Sequence, residues 1–561
     1  MNGSSEPAAG QKLRRKRFHV GLWPCLALLG CGLGQAPGAT LYVSLQSTNP
    51  VAPYEDWTTA ALTIQAAVDA AHAGDEVLVT NGVYQTGGRV LQGLLTNRVV
   101  VGKPLTLRSV NGPAATAIQG CQVPGTTNGE GAVRCVCLAD NATLIGFTLT
   151  NGGTRAVSTN SDCYGAGAWC AFTNAVLSNC VFCANVAYGF GGGSYGGTLV
   201  NCTLSNNAVL AWAPSSLFGA GGGTCFATLS NCLVTGNSAY MGGGAYGGAL
   251  SYCAILNNSA PQAGGGTYAS ALNNCQVIGN SAWAGGGVAS YAFGGPPMNN
   301  CLILSNSAIS EGGGSAGGVL NNCQIIGNSA PSGGGSCSGT LNNCILYYNN
   351  APSGANYFIP YYGGSLSFCC TTPLPAGSGN ITNAPLLVDP PAGDFHLQPN
   401  SPCINAGRNS FITNRTDLDG NARIVGGTVD IGAYEFSSPS SVISYAWLQQ
   451  YGLPSDGTAD YADSDGDGLN NWQEWICGTD PTNPLSALTL LSPTGAVSGV
   501  IVSWQSVPGR RYFLERSANL RVQPAFLPLA SNILGQPDTT SYTDANAAGP
   551  GPFFYRVGVQ P

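Results

Sequence analysis

The sequence predicts an all-β fold whose main part is a right-handed parallel β-helix. Three observations lead to this prediction. A unit of 21–22 residues recurs through the central region, glycine is about twice as frequent as in an average protein, and charged residues make up only 8% of the chain. A repeat of this length is typical of a solenoid, in which each unit forms one coil and buries its apolar face against the next.

The repeat is clearest at its cysteine, which follows an asparagine in all but one unit. Successive cysteines are 22, 30, 21, 22, 26, 22 and 21 residues apart, so two insertions lengthen a regular unit. The segments between the glycines and asparagines are too short for helices. We therefore expect coils stacked about 4.8 Å apart, as neighbouring strands are, with asparagine ladders beside a cysteine column. The cysteines are Cys180, Cys202, Cys232, Cys253, Cys275, Cys301, Cys323 and Cys344.

Packing is the preferred interpretation of this cysteine column. Free cysteine is among the most buried residue types and behaves as a small hydrophobe. A metal site needs ligands that converge, whereas a column spreads them along the axis. A catalytic thiol needs a base, and the only histidines beyond residue 39, His72 and His396, lie outside the repeats. Disulfides between adjacent coils remain the alternative.

The N-terminus has the pattern of a secretory signal. A basic run, Lys12–Arg17, precedes a short apolar, glycine-rich stretch and small residues up to about position 39. The alternatives are a retained membrane anchor and a lipoprotein signal ending at Cys31. Removal of residues 1–39 takes away five basic residues and one glutamate, which changes the formal net charge from −7 to −11. The sequence thus predicts a secreted or cell-envelope protein that does not bind nucleic acid and has no spanning segment in its mature part.

A short helix should close the first coil. Ile64, Ala67, Val68 and Ala71 follow the i, i+3, i+4, i+7 spacing of an amphipathic helix. Thr58 or Thr59 is the expected N-cap, and Gly74 is the expected stop. The apolar face of this helix would cover the otherwise open end of the solenoid core.

Three stretches resemble known bacterial proteins. "TIQAAVDAAHAGDEVLVTNGVY" (63–84) and "LIGFTLTNG" (144–152) are similar to the start of bacterial right-handed β-helix proteins, and residues 401–436 resemble the terminal motif of the choice-of-anchor Q class. The "NSAxxGGG" unit is similar to polymorphic outer-membrane protein repeats, although the match is looser. The resemblance covers about residues 40–436 and implies an exported, envelope-associated β-helix without fixing an activity.

The charge pattern opposes catalysis on the central coils. Glycoside hydrolysis generally needs two carboxylates close together, and Glu311 is the only charged residue between Cys163 and Val388. The sequence therefore favours a non-enzymatic structural or adhesive protein. The alternative is a polysaccharide lyase or glycoside hydrolase that uses acidic residues near the C-terminal end of the β-helix, which we otherwise interpret as turn and cap residues. These are Asp389, Asp394, Asp417, Asp419, Asp430 and Glu435.

Aromatic residues recur in the repeat and are the candidate ligand-binding groups. Tyr188, Tyr240 and Trp283 directly follow an Asn-x-Ala step. Aromatic faces in register along a solenoid can stack on sugar rings, so glycans are the candidate partner. The alternative is turn or cover packing, because other coils place a proline or isoleucine there. A second set, Tyr195, Tyr246 and Tyr268, lies two residues past the glycine triplets.

A calcium loop is predicted within residues 437–486, which begin with a linker. "DSDGDGLNNWQE" matches the twelve-residue EF-hand pattern. Carboxylates come from positions 1, 3, 5 and 12, a carbonyl from position 7, and position 9 acts directly or through water. The alternative is a solvated acidic turn. The segment also resembles thrombospondin type 3-like bacterial repeats. The predicted ligands are Asp463, Asp465, Asp467, Leu469, Asn471 and Glu474.

The last segment, residues 487–561, alternates apolar and polar residues in "GVIVSWQSV", "RRYFLERS" and "PFFYRVGVQ". This alternation predicts a small β-sandwich, and the stretch is similar to fibronectin type III modules.

Overall fold

Three long parallel sheets form the body of the protein and confirm the predicted right-handed parallel β-helix. The computed structural model describes residues 38–561 apart from 92, 157–159, 211–218, 291–294, 361–362, 497, 548, 550 and 561. The predicted signal and Cys31 lie outside the described residues. Each complete coil contributes one short strand to sheet A, then one to sheet B and one to sheet C, and consecutive coils pair along the axis. Arg89–Val90 is an added strand that pairs antiparallel with Thr96–Val101 at the edge of sheet C.

Sheet A contains 13 described strands, and sheets B and C contain 12 each. Sheet A consists of Thr40–Val43, Glu76–Val79, Thr106–Ser109, Thr143–Ile145, Val176–Ser178, Thr198–Val200, Thr228–Ser230, Ala249–Ser251, Ala271–Asn273, Met298–Asn299, Val319–Asn321, Thr340–Asn342 and Ser365–Ser367. Sheet B consists of Gly82–Tyr84, Thr116–Gln119, Thr148–Thr150, Val181–Cys183, Thr203–Ser205, Leu233–Thr235, Ala254–Leu256, Gln276–Ile278, Leu302–Leu304, Gln324–Ile326, Ile345–Tyr347 and Cys370–Thr371. Sheet C consists of Arg89–Val90, Thr96–Val101, Val133–Leu138, Ala168–Cys170, Ser194–Tyr195, Thr224–Cys225, Ala245–Tyr246, Thr267–Tyr268, Val288–Ser290, Ser315–Gly317, Ser336–Cys337 and Tyr357–Phe358.

The interior of the solenoid is filled by columns in which equivalent positions of successive coils carry similar residues. In sheet A the inward position is a buried leucine in all strands but two, which place Val77 and Met298 there. Leu177, for example, pairs with Leu199, and Leu199 pairs with Leu229. The repeat cysteines form the next buried column, and all 20 cysteines in the described part of the chain are free. Packing is therefore the role of this column. Each fully buried aliphatic side chain contributes about 1.5–3 kcal/mol through removal from water.

The asparagine ladder expected at the repeated Asn-Asn-Cys step forms over part of the stack, where Asn273, Asn299, Asn321 and Asn342 bond side chain to side chain at 2.9 Å. A second, longer ladder uses another asparagine. In the repeated Asn-Cys pair, Asn201 and Asn231 have φ values of 55° and 52°, so this asparagine turns the chain from sheet A to sheet B. The continuous buried ladder is made by the asparagine of the Asn-Ser-Ala step. Its members are Asn185, Asn207, Asn237, Asn258, Asn280, Asn306, Asn328 and Asn349, with side-chain N–H···O distances of 2.9–3.0 Å.

The predicted capping helix, α1 (Ile64–Ala70), packs on the first coil. Ile64, Ala67 and Val68 are buried in the solenoid core. The N-cap prediction was wrong, because Thr63 accepts the N-terminal hydrogen bond from the backbone N–H of Ala66. Thr58 and Thr59 instead donate backbone hydrogen bonds to the carboxylate of Asp56 in the preceding turn.

Shorter elements surround the solenoid and follow it. Extra two- and three-stranded sheets lie between sheets B and C: Val186–Ala187 with Ala208–Val209, and Ser259–Ala263 with Ser281–Ala284 and Ser307–Glu311. A hairpin, Leu387–Asp389 and Asp394–Leu397, precedes helices α2 (Tyr445–Gln450) and α3 (Asn471–Cys477). Three 3₁₀ turns are Ser161–Cys163, Pro390–Ala392 and Asn409–Phe411.

The C-terminal segment folds into two antiparallel three-stranded sheets. One contains Thr494–Ala496, Gly499–Ser506 and Asp538–Asp544, and the other contains Arg511–Ser517, Leu527–Leu534 and Phe554–Val559. Val502, Trp504, Tyr512 and Leu514 form their common core. This arrangement is the small sandwich that the alternating pattern predicts.

A strap, defined as residues 408–417, runs back along the outside of the last coils. The turn asparagines of four coils donate side-chain hydrogen bonds to its carbonyl oxygens and are buried beneath it. The pairs are Asn343 with Arg408, Asn322 with Phe411, Asn300 with Thr416 and Asn274 with Asp417. The preceding coils present Asn179, Asn201, Asn231 and Tyr252 at the same position, and these four residues are exposed.

Candidate functional site

Three of the predicted metal ligands lie close together. The carboxylate oxygens of Asp463, Asp465 and Asp467 lie within 4.8 Å of one another. Local hydrogen bonds shape the loop, because the backbone N–H groups of Gly466 and Gly468 donate to Asp463 at 2.8 and 3.1 Å. Three carboxylates held this close repel one another unless a cation lies among them.

The fit to a cation rests on oxygen atoms that have no partner. Four buried oxygens lack a hydrogen-bond donor: Oδ2 of Asp465 and of Asp467, Oδ1 of Asn471, and Oε2 of Glu474. Buried polar atoms ordinarily have a hydrogen-bond partner. Four unpaired oxygen atoms on predicted ligand residues are therefore suited to bind a hard cation that prefers oxygen ligands, such as calcium. Burial, followed by the charges of Asp465 and Asp467, raises the pKa of Glu474 to about 7.

Helix α3 fixes two of these ligands. Asn470 caps the helix and forms a reciprocal capping box with Gln473. Asn471 donates from Nδ2 to the carbonyl of Ala459 at 2.7 Å, which leaves its Oδ1 free for the loop. Oε1 of Glu474 accepts from Thr479 at 3.3 Å, which leaves Oε2 free in the same way.

The loop lies at a joint between the β-helix and the sandwich. Tyr445 of α2 is buried in the core that closes the β-helix, together with Phe395 and Ile431. On the other side, Arg510 of the sandwich donates to the carbonyl of Trp475 in α3 at 3.2 Å. A metal in the loop would therefore hold the helix that contacts the sandwich.

Tyr188, Tyr240 and Trp283 lie on one line along the outside of the β-helix. Each of the three comes two residues after a position that pairs in register with its equivalents in the neighbouring coils. This paired position is Val186 in the first of these coils and Asn350 in the last. Alanines and a valine before them point into the core, so the next residue points outward. We call this line the apolar strip: Tyr188, Leu210, Tyr240, Pro261, Trp283, Ile309, Pro331 and Pro352.

Several side chains of the apolar strip are open to solvent. Leu210 is 51% exposed, Trp283 44% and Ile309 74%. Tyr188 and Tyr240 are half-buried, and the hydroxyl of Tyr240 donates to Oε1 of Gln262 at 3.1 Å. A continuous exposed line of apolar side chains marks an interaction surface more often than random surface does.

The second aromatic set forms a ladder on the outside of sheet C. Tyr246 and Tyr268 stack with their ring planes 4° apart and their centroids 5.3 Å apart, while Phe226 meets Tyr195 and Tyr246 edge to face. Stacked rings cover one another's faces. This ladder therefore packs mainly against itself, and it offers fewer free faces than the apolar strip.

Most of the acidic residues after the β-helix hold the closing loops. Asp417, Asp430 and Glu435 are buried and accept hydrogen bonds from backbone N–H groups. Nη1 of buried Arg423 lies 3.7 Å from Oε2 of Glu435. Asp389 caps a 3₁₀ turn by accepting from the N–H of Ala392. These contacts agree with turn and cap roles.

Sequence reasoning missed one cluster at His396. Its Nδ1 lies 2.6 Å from Oδ1 of Asp394 and its Nε2 lies 2.6 Å from Oδ2 of Asp419. The hydrogen bond to Asp419 raises the pKa of His396 to about 9, against the opposing effect of burial. At neutral pH the ring is an imidazolium that donates both N–H groups. The "DFH" and "TDLDG" stretches carried the signal, but their 23-residue separation hid the contact.

The central coils carry one charged residue, Glu311, between Cys163 and Val388. Glu311 is half-buried and accepts a hydrogen bond from Sγ of Cys337 at 3.5 Å. No lysine or arginine occurs between Arg155 and Arg408. In the part of the chain that the structure describes, no helix is long and apolar enough to cross a membrane.

Comparisons with known proteins give one family match and several distant structural similarities. The bacterial TSP3 repeat model matches residues 463–484, and no curated protein matches the chain. The structure is similar to pectate lyase Pel9A, with 14% identity, a TM-score of 0.39, and coverage of 72% of this chain and 97% of the lyase. It is also similar to a rhamnogalacturonan lyase, with 10% identity, a TM-score of 0.33, and coverage of 59% of this chain and 87% of the lyase. A third similar structure is polygalacturonase from Erwinia carotovora ssp. carotovora, with 11% identity, a TM-score of 0.24, and coverage of 63% of this chain and 96% of the polygalacturonase.

Proposed function

We propose that this protein is an exported, non-enzymatic rod that binds glycans along its β-helix and holds calcium at its C-terminal joint. The observation that carries the glycan part is the apolar strip, which presents exposed apolar side chains on successive coils. The export part rests on the N-terminal signal pattern. The absence of basic residues from the central coils opposes a nucleic-acid ligand.

A glycan array probed with the full mature chain tests the glycan part. We expect binding that is weakened in Trp283→Ala, because Trp283 is the largest exposed aromatic side chain of the apolar strip. Phe172→Ala is the matched control, since Phe172 is 64% exposed and lies outside the strip. No binding to any glycan, or equal loss in both variants, would contradict the proposal.

The calcium part assigns the loop a structural role. Asp463, Asp465, Asp467 and Glu474 supply carboxylate oxygens, Leu469 its carbonyl, and Asn471 its free Oδ1 or a bridging water. A ligand that binds only the folded state stabilises it by about 2.7 kcal/mol at a concentration 100 times its dissociation constant.

Thermal unfolding with calcium and with a chelator tests this assignment. The melting temperature of the joint should rise with calcium in the wild type and in Asp456→Asn, which changes an exposed carboxylate outside the loop. It should not rise in Asp465→Asn. Equal melting temperatures of the wild type with calcium and with chelator would refute the site.

A polysaccharide-active enzyme is the second candidate, and the partly exposed Asp394–His396–Asp419 cluster favours it. The geometry limits its chemistry, because an imidazolium that donates both N–H groups has no lone pair with which to act as a base. Turnover of a polysaccharide panel that disappears in His396→Ala, Asp394→Asn and Asp419→Asn would establish this candidate. Absence of turnover in the wild type supports the non-enzymatic assignment.

A further inference from the structure

The apolar strip has a regular spacing that specifies the kind of glycan. Its three aromatic residues occupy alternate coils: Tyr188, Tyr240 and Trp283 are separated in each case by one coil that carries Leu210 or Pro261 instead. Strands of adjacent coils lie about 4.8 Å apart, so successive aromatic rings are about 10 Å apart along the axis. From Tyr188 to Trp283 the aromatic residues thus recur every two coils, and beyond Trp283 the strip continues with Ile309, Pro331 and Pro352.

An extended polysaccharide with two-fold symmetry has a matching repeat. In such a chain each sugar is turned over relative to the last, so the same ring face recurs once per disaccharide, at nearly the distance that separates two coils. A chain laid parallel to the solenoid axis would place alternate sugars over Tyr188, Tyr240 and Trp283. The intervening sugars would contact the apolar residues of the coils between. A glycan that coils into a helix cannot keep this register.

The charge of the surface excludes acidic polymers. No lysine or arginine lies between Arg155 and Arg408, and Glu311 is the only acidic residue between Cys163 and Val388. A polyuronate would meet no counter-charge along the strip, and electrostatic complementarity is what selects charged partners. An uncharged polymer of hydroxyl-bearing rings needs no counter-charge, and its ring faces can pack on the apolar side chains of the strip.

We propose that the apolar strip binds an uncharged, extended β-linked polysaccharide whose axis lies parallel to the β-helix, with one aromatic residue per disaccharide. This inference rests on the glycan-binding function proposed above and names its ligand class. Only this strip is assigned, and the aromatic ladder on sheet C is not part of it.

Calorimetric titration of the full mature chain with defined hexasaccharides tests the inference. The probes are a β-1,4-linked glucose hexamer, an α-1,4-linked glucose hexamer and a hexamer of galacturonate. We expect binding of the first alone. Because alternate sugars meet the aromatic residues, a trimer reaches two of them and a pentamer reaches all three. Affinity for β-1,4-linked glucose should therefore rise from dimer to trimer and from tetramer to pentamer, with less gain at the even lengths.

Variants locate the binding surface. Trp283→Ala should weaken binding of the β-linked hexamer about tenfold, as expected for loss of one stacking contact. Trp283→Phe should restore most of it, and Phe172→Ala should leave it unchanged. Melting curves check that each variant is folded. We expect them to fold, because Trp283 and Phe172 are exposed and their removal leaves no cavity in the core.

Four results would overturn the inference. If the α-linked hexamer binds as tightly as the β-linked one, the strip does not select an extended chain. If the galacturonate hexamer binds as tightly, the strip does not select an uncharged chain. Undiminished binding in Trp283→Ala would place the site elsewhere. Concentration-dependent dimers that dissociate in Trp283→Ala would show that a second copy of the chain covers the strip. If the β-linked hexamer fails while other glycans bind on the array, this inference falls and the proposed function stands. If no glycan binds at all, both fall.

Discussion

The buried asparagine ladder should be a major source of stability, and Asn258 tests it. Its Nδ2 donates to the carbonyl of Val234 and to Oδ1 of Asn280, both at 3.0 Å. Its Oδ1 accepts from the backbone N–H and from Nδ2 of Asn237, at 2.9 and 3.0 Å. Asn258 is 1% exposed, so water cannot replace these contacts.

The size of the effect follows from these four bonds. Each buried hydrogen bond contributes about 1 kcal/mol net, and a buried donor left without a partner costs about 1–3 kcal/mol. Alanine at position 258 removes all four bonds and leaves the backbone N–H of Asn237 without the acceptor it has in the ladder. We therefore expect Asn258→Ala to lower the free energy of unfolding by about 3–5 kcal/mol. A solenoid draws its stability from contacts between neighbouring coils, so the loss should separate the stack at this coil.

Urea unfolding followed by far-ultraviolet circular dichroism measures the change. Asn257→Gly is the matched control, because Asn257 is exposed, has a φ of 53°, and is replaced by Gly236 and Gly279 in the neighbouring coils. This control should change the free energy by less than about 1 kcal/mol. A shift of Asn258→Ala no larger than that of the control would refute the ladder's role. A second, earlier transition in Asn258→Ala would show where the stack separates.

Three further predictions concern the closing motif, the cysteines and the strap. Burial and a neighbouring carboxylate raise the pKa of Glu435 to about 8. Because the native state then binds more protons than the unfolded one, the urea midpoint should fall between about pH 4.5 and pH 8, and Glu435→Gln should flatten that slope. The native protein should react with a thiol reagent only at Cys121 and Cys183 among the cysteines described, since the others are buried, and reductant should leave the melting temperature unchanged. Rapid labelling of the buried cysteines would contradict the packing role. Asn322→Gly should release the strap and speed limited proteolysis within residues 408–417, whereas Asn231→Gly, in a coil without the strap, should not. Equal cleavage of both variants would show that the asparagine does not hold the strap.

The sequence determined the features that depend on local spacing. A constant period of 21–22 residues requires equivalent residues to stack, so the parallel β-helix and the buried cysteine column could be predicted. The metal loop could be predicted as well, because its expected ligands lie within twelve residues. Helix α1 followed from its apolar spacing, although its N-cap was misplaced. Thr58, Thr59 and Thr63 are all acceptable caps by residue type, and only the packed backbone selects Thr63.

Tertiary structure decided the features that join distant segments. Two or three asparagines recur in most units, and the backbone conformation at each determines which one turns the chain and which ones form ladders. The strap meets its asparagines across 65–143 residues, and His396 meets Asp419 across 23. The apolar strip depends on which residues stack across coils of unequal length. Ala260, Ala282 and Ala308 stay paired, and the register shifts directly after them, at the strip residues Pro261, Trp283 and Ile309. Contacts of this kind follow from the path of the chain in space, which no local pattern encodes.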